Sequence, residues 1–68
     1  MEILIVVNGE GRAAPTGQTI VGLLRDLGLE PARVAVELDR RIVKQAQWNN
    51  TTLRDGAELE IVQFVGGG

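Results

Sequence analysis

Apolar positions recur along this chain with two different periods, and the change from one to the other marks its elements. Residues 2–7, Glu-Ile-Leu-Ile-Val-Val, are rich in β-branched side chains and short enough for a strand. Asn8-Gly9 behind them is the strongest short hairpin signal. A second, weaker strand is expected around Gly11 to Ala14, ended by Pro15 ahead of Thr16-Gly17. The period then becomes helical, with Ile20, Leu23, Leu24 and Leu27 on one face and Arg25 and Asp26 between them. Thr19 is a suitable N-cap, Gly28 suits the position after the C-cap, and Pro31 follows, so the helix is expected to stop near Leu27. Strict alternation returns from Arg33 to Leu38, sending Val34, Val36 and Leu38 one way and Arg33 and Glu37 the other. Asp39-Arg40 can turn the chain into a short strand, Arg41-Ile42-Val43. Lys44 to Leu53 shows no period; Trp48 and Leu53 are its expected anchors and Asn49-Asn50 a turn. A lone tryptophan in so small a chain reads as packing before it reads as recognition. Asp55-Gly56 then leads into the last strand, Glu58 to Val65.

A hairpin, one helix, two more strands and a long closing strand imply an α+β domain. Its natural form is a β-grasp (ubiquitin-like) mixed sheet with the one main helix packed on one face. The first and last strands are the most apolar and belong side by side, parallel, at the centre of that sheet. Parity assigns the faces. Glu58 and Glu60 must meet water, which sends Val62 and Phe64 to the same open face and turns Leu59 and Ile61 toward the helix. Glu2 likewise sends Leu4 and Val6 to the open face. Leu4, Val6, Val62 and Phe64 are therefore expected to form an apolar patch near the end of the last strand, a candidate partner-binding surface. Exposed apolar atoms are ordinary on any protein, but the coincidence of patch and chain end favours a partner.

Composition narrows the function classes. A chain of 68 residues forms one domain near the lower limit for a self-sufficient core, with no room for an enclosed catalytic cleft. With no cysteine and no histidine it lacks thiolate nucleophiles, disulfides, the usual zinc ligands and the ordinary proton shuttle, so self-contained catalysis and a bound metal are not expected. Nine acidic against seven basic residues, with no basic run, disfavour nucleic acid. The apolar start is too short to span a membrane and lacks a basic leader, so a cytoplasmic protein is expected. What remains is the sequence end. Gly66, Gly67 and Gly68 follow the last strand directly, which divides the chain into a domain over 1–65 and a flexible glycine tail over 66–68. A frayed end is the plain reading of such a tail. Its place straight after an apolar strand favours instead a reactive arm whose working group is the Gly68 carboxylate.

The whole chain resembles the ThiS family, the sulfur-carrier proteins of thiamin biosynthesis. The resemblance rests on the strand ending Asn8-Gly9, the run Gly17-Gln18-Thr19-Ile20-Val21-Gly22-Leu23-Leu24, the strand Val34-Ala35-Val36-Glu37-Leu38, and Ile42-Val43 followed by Trp48. It also rests on Asp55-Gly56-Ala57-Glu58-Leu59-Glu60-Ile61-Val62 and on Val65-Gly66-Gly67-Gly68. It implies that Gly68 is the residue activated and thiocarboxylated, with Gly66 and Gly67 completing the tail motif. A ThiF-type adenylating enzyme would join the carboxylate to AMP, using ATP and Mg that the enzyme and not this chain binds. A persulfide donor would then supply sulfur, and a ThiG-type thiazole synthase would consume it. No enzyme activity, nucleic-acid partner or membrane partner is implied for the chain itself. Three alternatives stay open: a MoaD-like sulfur carrier for molybdopterin synthesis, which shares the fold and tail; a ubiquitin-like protein modifier, whose own chain formation would be limited by a single lysine, Lys44; and a pure interaction domain with an idle tail.

Overall fold

The structure is a computed structural model that describes residues 1–65. Gly66, Gly67 and Gly68, the expected tail, lie outside the described residues. Strand β1 is Glu2–Val7, β2 is Glu10–Pro15, helix α1 is Ile20–Asp26, β3 is Val34–Leu38, β4 is Arg41–Val43 and β5 is Glu58–Gln63. Short 3₁₀ helices occupy Pro31–Arg33 and Gln45–Asn50. The strands form one sheet in the order β2-β1-β5-β3-β4, with β1 and β5 parallel at its centre and every other pair antiparallel. This is the β-grasp arrangement.

Local chemistry accounts for the hairpins and the helix ends. Asn8 (φ 51°) and Gly9 (φ 83°) both take the left-handed conformation that a two-residue hairpin requires, as do Asp39 (φ 50°) and Arg40 (φ 70°) between β3 and β4. The Asp39 carboxylate and its own N–H bracket Glu58, accepting from its N–H at 3.0 Å and donating to its carbonyl at 2.8 Å, which fixes where β5 begins. Helix α1 opens with the Thr19 hydroxyl accepting from the Gly22 N–H at 3.1 Å. It closes with a Schellman motif: Gly28 (φ 72°) donates to the Arg25 carbonyl at 3.0 Å, and Leu29 to the Leu24 carbonyl at 2.9 Å.

The elements differ from the sequence expectation at their edges. The second strand reaches Pro15, which an edge strand tolerates because no ladder partner needs its missing N–H. Arg33 belongs to the 3₁₀ turn opened by Pro31, with its N–H donating to the Glu30 carbonyl at 2.9 Å, so β3 starts at Val34. Asn49-Asn50, expected as a turn, closes the 3₁₀ helix that carries Trp48. The last strand ends at Gln63 instead of Val65.

The core lies between α1 and one face of the sheet. Ile20, Leu23 and Leu24 meet Ile5, Val36 and Leu59, and all six are essentially inaccessible. Trp48 and Leu53 seal the far end, and the Trp48 Nε1–H donates to the Val43 carbonyl at 2.7 Å, so the one buried polar edge of the indole is satisfied. The chain ahead of β5 is tied to the helix start, with the Ile20 N–H donating to the Thr51 carbonyl and the Leu53 N–H to the Gln18 carbonyl. Among the described residues, none of the helices is long and apolar enough to cross a membrane.

Candidate functional site

The proposed glycine arm and half of the proposed patch depend on β5, the strand that precedes the glycine run in sequence. That strand is held on both sides. Toward β1 the Val6 N–H donates to the Ala57 carbonyl at 2.8 Å and the Asn8 N–H to the Leu59 carbonyl at 2.9 Å. Toward β3 the pairing continues from Leu38 opposite Leu59 to Val34 opposite Gln63. One further bond, from the Phe64 N–H to the Arg33 carbonyl at 2.8 Å, holds the chain just past the strand end. Leu59 and Ile61 are buried against the helix, whereas Val62 is 59% and Phe64 56% exposed, the face assignment that alternation predicts.

The expected patch divides in two. Leu4, Val6, Val62 and Phe64 do share the open face, but Val6 stands opposite Glu58 in the parallel pair. Val62 is four residues beyond that point, about 13 Å along the strand, and the Gly56 N–H donates to the Leu4 carbonyl, so Leu4 lies farther back still. Of the four, Val62 and Phe64 alone stand at the end of β5. The exposed acids Glu58 and Glu60 separate them from Leu4 and the half-buried Val6. Glu60 sits directly across from Glu37, which in turn sits across from exposed Ile42. Two carboxylates facing each other across strands repel. The open face at the end of β5 is therefore an apolar pair, Val62 and Phe64, bordered by an acidic stripe.

On the opposite, helix-side face a hollow of about 420 Å³ opens at the tip of the β1–β2 hairpin, lined by Val7, Asn8, Arg12, Leu27, Ile61 and Gln63 among others. Sequence reasoning does not foresee it, since its walls come from the hairpin, the helix end and β5, which only the fold assembles. Asn8 is likewise legible only as half of a turn, yet its side chain accepts from the Ile61 N–H at 2.7 Å and donates to the Ile61 carbonyl at 3.2 Å. No group of three or more acidic side chains is placed to hold a metal ion among the described residues. The one ion pair among those residues, Arg33 with Glu30 at 3.2 Å, is well exposed on both partners and contributes little.

Comparison with known proteins bears on all of this. The model of the ThiS family matches residues 5–68. A thiazole synthase of Paramagnetospirillum magneticum is 41% identical over 64 residues, 94% of this chain and 20% of that protein. The chain thus spans about a fifth of the length of the thiazole synthases it matches. The sulfur carrier protein ThiS of Escherichia coli is 30% identical over 64 residues, covering 94% of this chain and 97% of that one. In three dimensions, the crystal structure of the thiamine biosynthesis protein ThiS from Geobacter metallireducens superposes with a TM-score of 0.83 at 28% identity, over 97% of this chain and 100% of the other.

Proposed function

This chain belongs to the ThiS family, and on that premise we propose that it is a cytoplasmic sulfur carrier for thiamin thiazole synthesis, acting through a carboxylate at Gly68. The observation that carries the reading is the extent of the family match, which runs through residue 68 and so takes in the glycine run along with the domain.

The chemistry follows from what a carboxylate lacks. A carboxylate is anionic near neutrality, and loss of oxide makes it a poor acyl donor. An adenylating partner of the ThiF type, holding Mg and ATP, converts it to an acyl adenylate and releases pyrophosphate. The terminal sulfur of a persulfide then displaces AMP to give an acyl disulfide, and a thiol of the donor or partner enzyme attacks the sulfur next to it, forming a disulfide there and releasing the thiocarboxylate. A thiazole synthase of the ThiG type takes that sulfur and returns the carboxylate. Glycine at 67 and 68 leaves no Cβ between the backbone and the partner's nucleotide. The absence of cysteine means that no internal thiol intercepts the adenylate.

In this scheme the domain docks and the tail reacts. Val62 and Phe64 supply apolar contact at the end of β5, and the carboxylates of Glu37, Glu58 and Glu60 favour a partner surface with cationic groups around an apolar centre. The test is reconstitution. With ATP, magnesium and a persulfide source but no adenylating enzyme the mass of the chain should not change. Adding the enzyme should make it heavier by about 16 Da, the exchange of one oxygen for sulfur. Thiazole synthase with its substrates should then restore the original mass. Consumption by a molybdopterin synthase instead would move the protein to the alternative pathway, and recovery of Gly68 only in isopeptide linkage would reject the carrier mechanism.

A further inference from the structure

β5 outruns its neighbour. The main-chain ladder between β1 and β5 stops with the Asn8 N–H on the Leu59 carbonyl, because β1 turns away at Asn8-Gly9, while β5 continues to Gln63. The next peptide groups that β5 presents on that side are the N–H and carbonyl of Ile61. Both are taken by one side chain: the Asn8 carboxamide accepts from the first at 2.7 Å and donates to the second at 3.2 Å, in a partly buried setting. A carboxamide has the donor and acceptor of a peptide group, so Asn8 extends the ladder by one step after its own backbone has left.

The hairpin alone does not require this. Its left-handed first position accepts glycine or aspartate as readily as asparagine. Glycine would leave both Ile61 groups without these bonds, and an ionised aspartate could accept from the N–H but would face the carbonyl with a second anionic oxygen and no proton. Asparagine alone among residues at home at positive φ supplies both bonds. Opposite it, the Arg33 carbonyl holds Phe64 from the β3 side. Two locks three residues apart, on opposite edges of β5, thus hold the strand at the point where the chain leaves the sheet.

We propose that Asn8 is a positioning residue for the reaction at Gly68, aiming the end of β5 so that a docked domain delivers its tail to the partner's nucleotide; this rests on the carrier reading above. Asn8→Gly keeps the turn and removes only the carboxamide, so the domain remains folded. Amide hydrogen exchange on the intact chain should show Ile61 losing about tenfold in protection while Leu23 and Val36 keep theirs, and the Phe64 and Val65 resonances should shift. In Asn8→Asp the Ile61 protection should be weak at neutral pH and return as the pH falls through the introduced carboxyl's titration, near or above about 4, because the protonated acid regains a donor. A role confined to shaping the turn gives no such recovery. In pyrophosphate exchange with the adenylating enzyme, Asn8→Gly should bind with unchanged affinity and turn over about tenfold more slowly or worse, since small misplacements of a reacting group cost that much. Wild-type protection at Ile61 in Asn8→Gly, or wild-type turnover by that variant, overturns the role of Asn8 alone. Failure of the wild-type chain to support exchange overturns the carrier reading and this role with it.

Discussion

Replacing Phe64 by alanine separates a docking surface from a core. Phe64 is 56% exposed, so somewhat under half of its surface is withdrawn from water. Full burial of a phenylalanine contributes about 1.5–3 kcal/mol, and the share buried here scales to roughly 1 kcal/mol of folding stability. If Phe64 is a central anchor of the partner interface, the same truncation removes about 2 kcal/mol or more of binding, roughly 30-fold in Kd. The loss of affinity should thus exceed the loss of stability. Leu24→Ala provides the opposite pattern: that side chain is wholly buried, its loss should cost about 2–5 kcal/mol of stability, and the affinity of the folded fraction should be unchanged. Urea melts give the first quantity, and calorimetric titration of the adenylating enzyme gives the second. A loss of about 3–5 kcal/mol in the melt of Phe64→Ala, with affinity intact, would refute the assignment of the open face to a partner.

Removing Gly68, or placing a bulky residue at Gly67, should abolish pyrophosphate exchange and leave the urea midpoint unchanged, since no core residue lies beyond Ile61 among the described residues. Trp48→Phe should cost about 2 kcal/mol in the melt by leaving the Val43 carbonyl without its 2.7 Å donor, with no change in the exchange kinetics of the folded protein. Gly28→Ala should destabilise by about 1 kcal/mol although open space surrounds the position, because the penalty comes from φ 72° in the Schellman motif and not from crowding; unchanged stability would show that the helix end relaxes.

Much of the architecture is legible in the sequence because it rests on local chemistry. Thr19 and Gly28 bracket the helix, Asn8-Gly9 and Asp39-Arg40 mark the hairpins, and Glu58 and Glu60 reveal which way β5 faces. Register across the centre of the sheet is not legible. β1 and β5 meet over some fifty intervening residues, and alternation says which face a side chain takes without saying how far along the partner strand it stands. For that reason Leu4 and Val6 share a face with Val62 and Phe64 and still lie apart from them. The 3₁₀ helix around Trp48 escapes periodicity because its six residues bury one side chain, too few for a repeat to show. The carboxamide of Asn8 reads as turn chemistry, since nothing in the linear sequence places Ile61 beside it.

Whether Gly68 carries sulfur decides the function, and the intact mass of the protein taken from its native cells answers that question without reconstitution. A population heavier than the unmodified chain by about 16 Da is expected, with the added mass in the C-terminal peptide and lost on alkaline hydrolysis or on incubation with the sulfur acceptor. A chain found only unmodified while thiamin is being made, or found joined through Gly68 to the lysine of another protein and never as a thiocarboxylate, would contradict the carrier role.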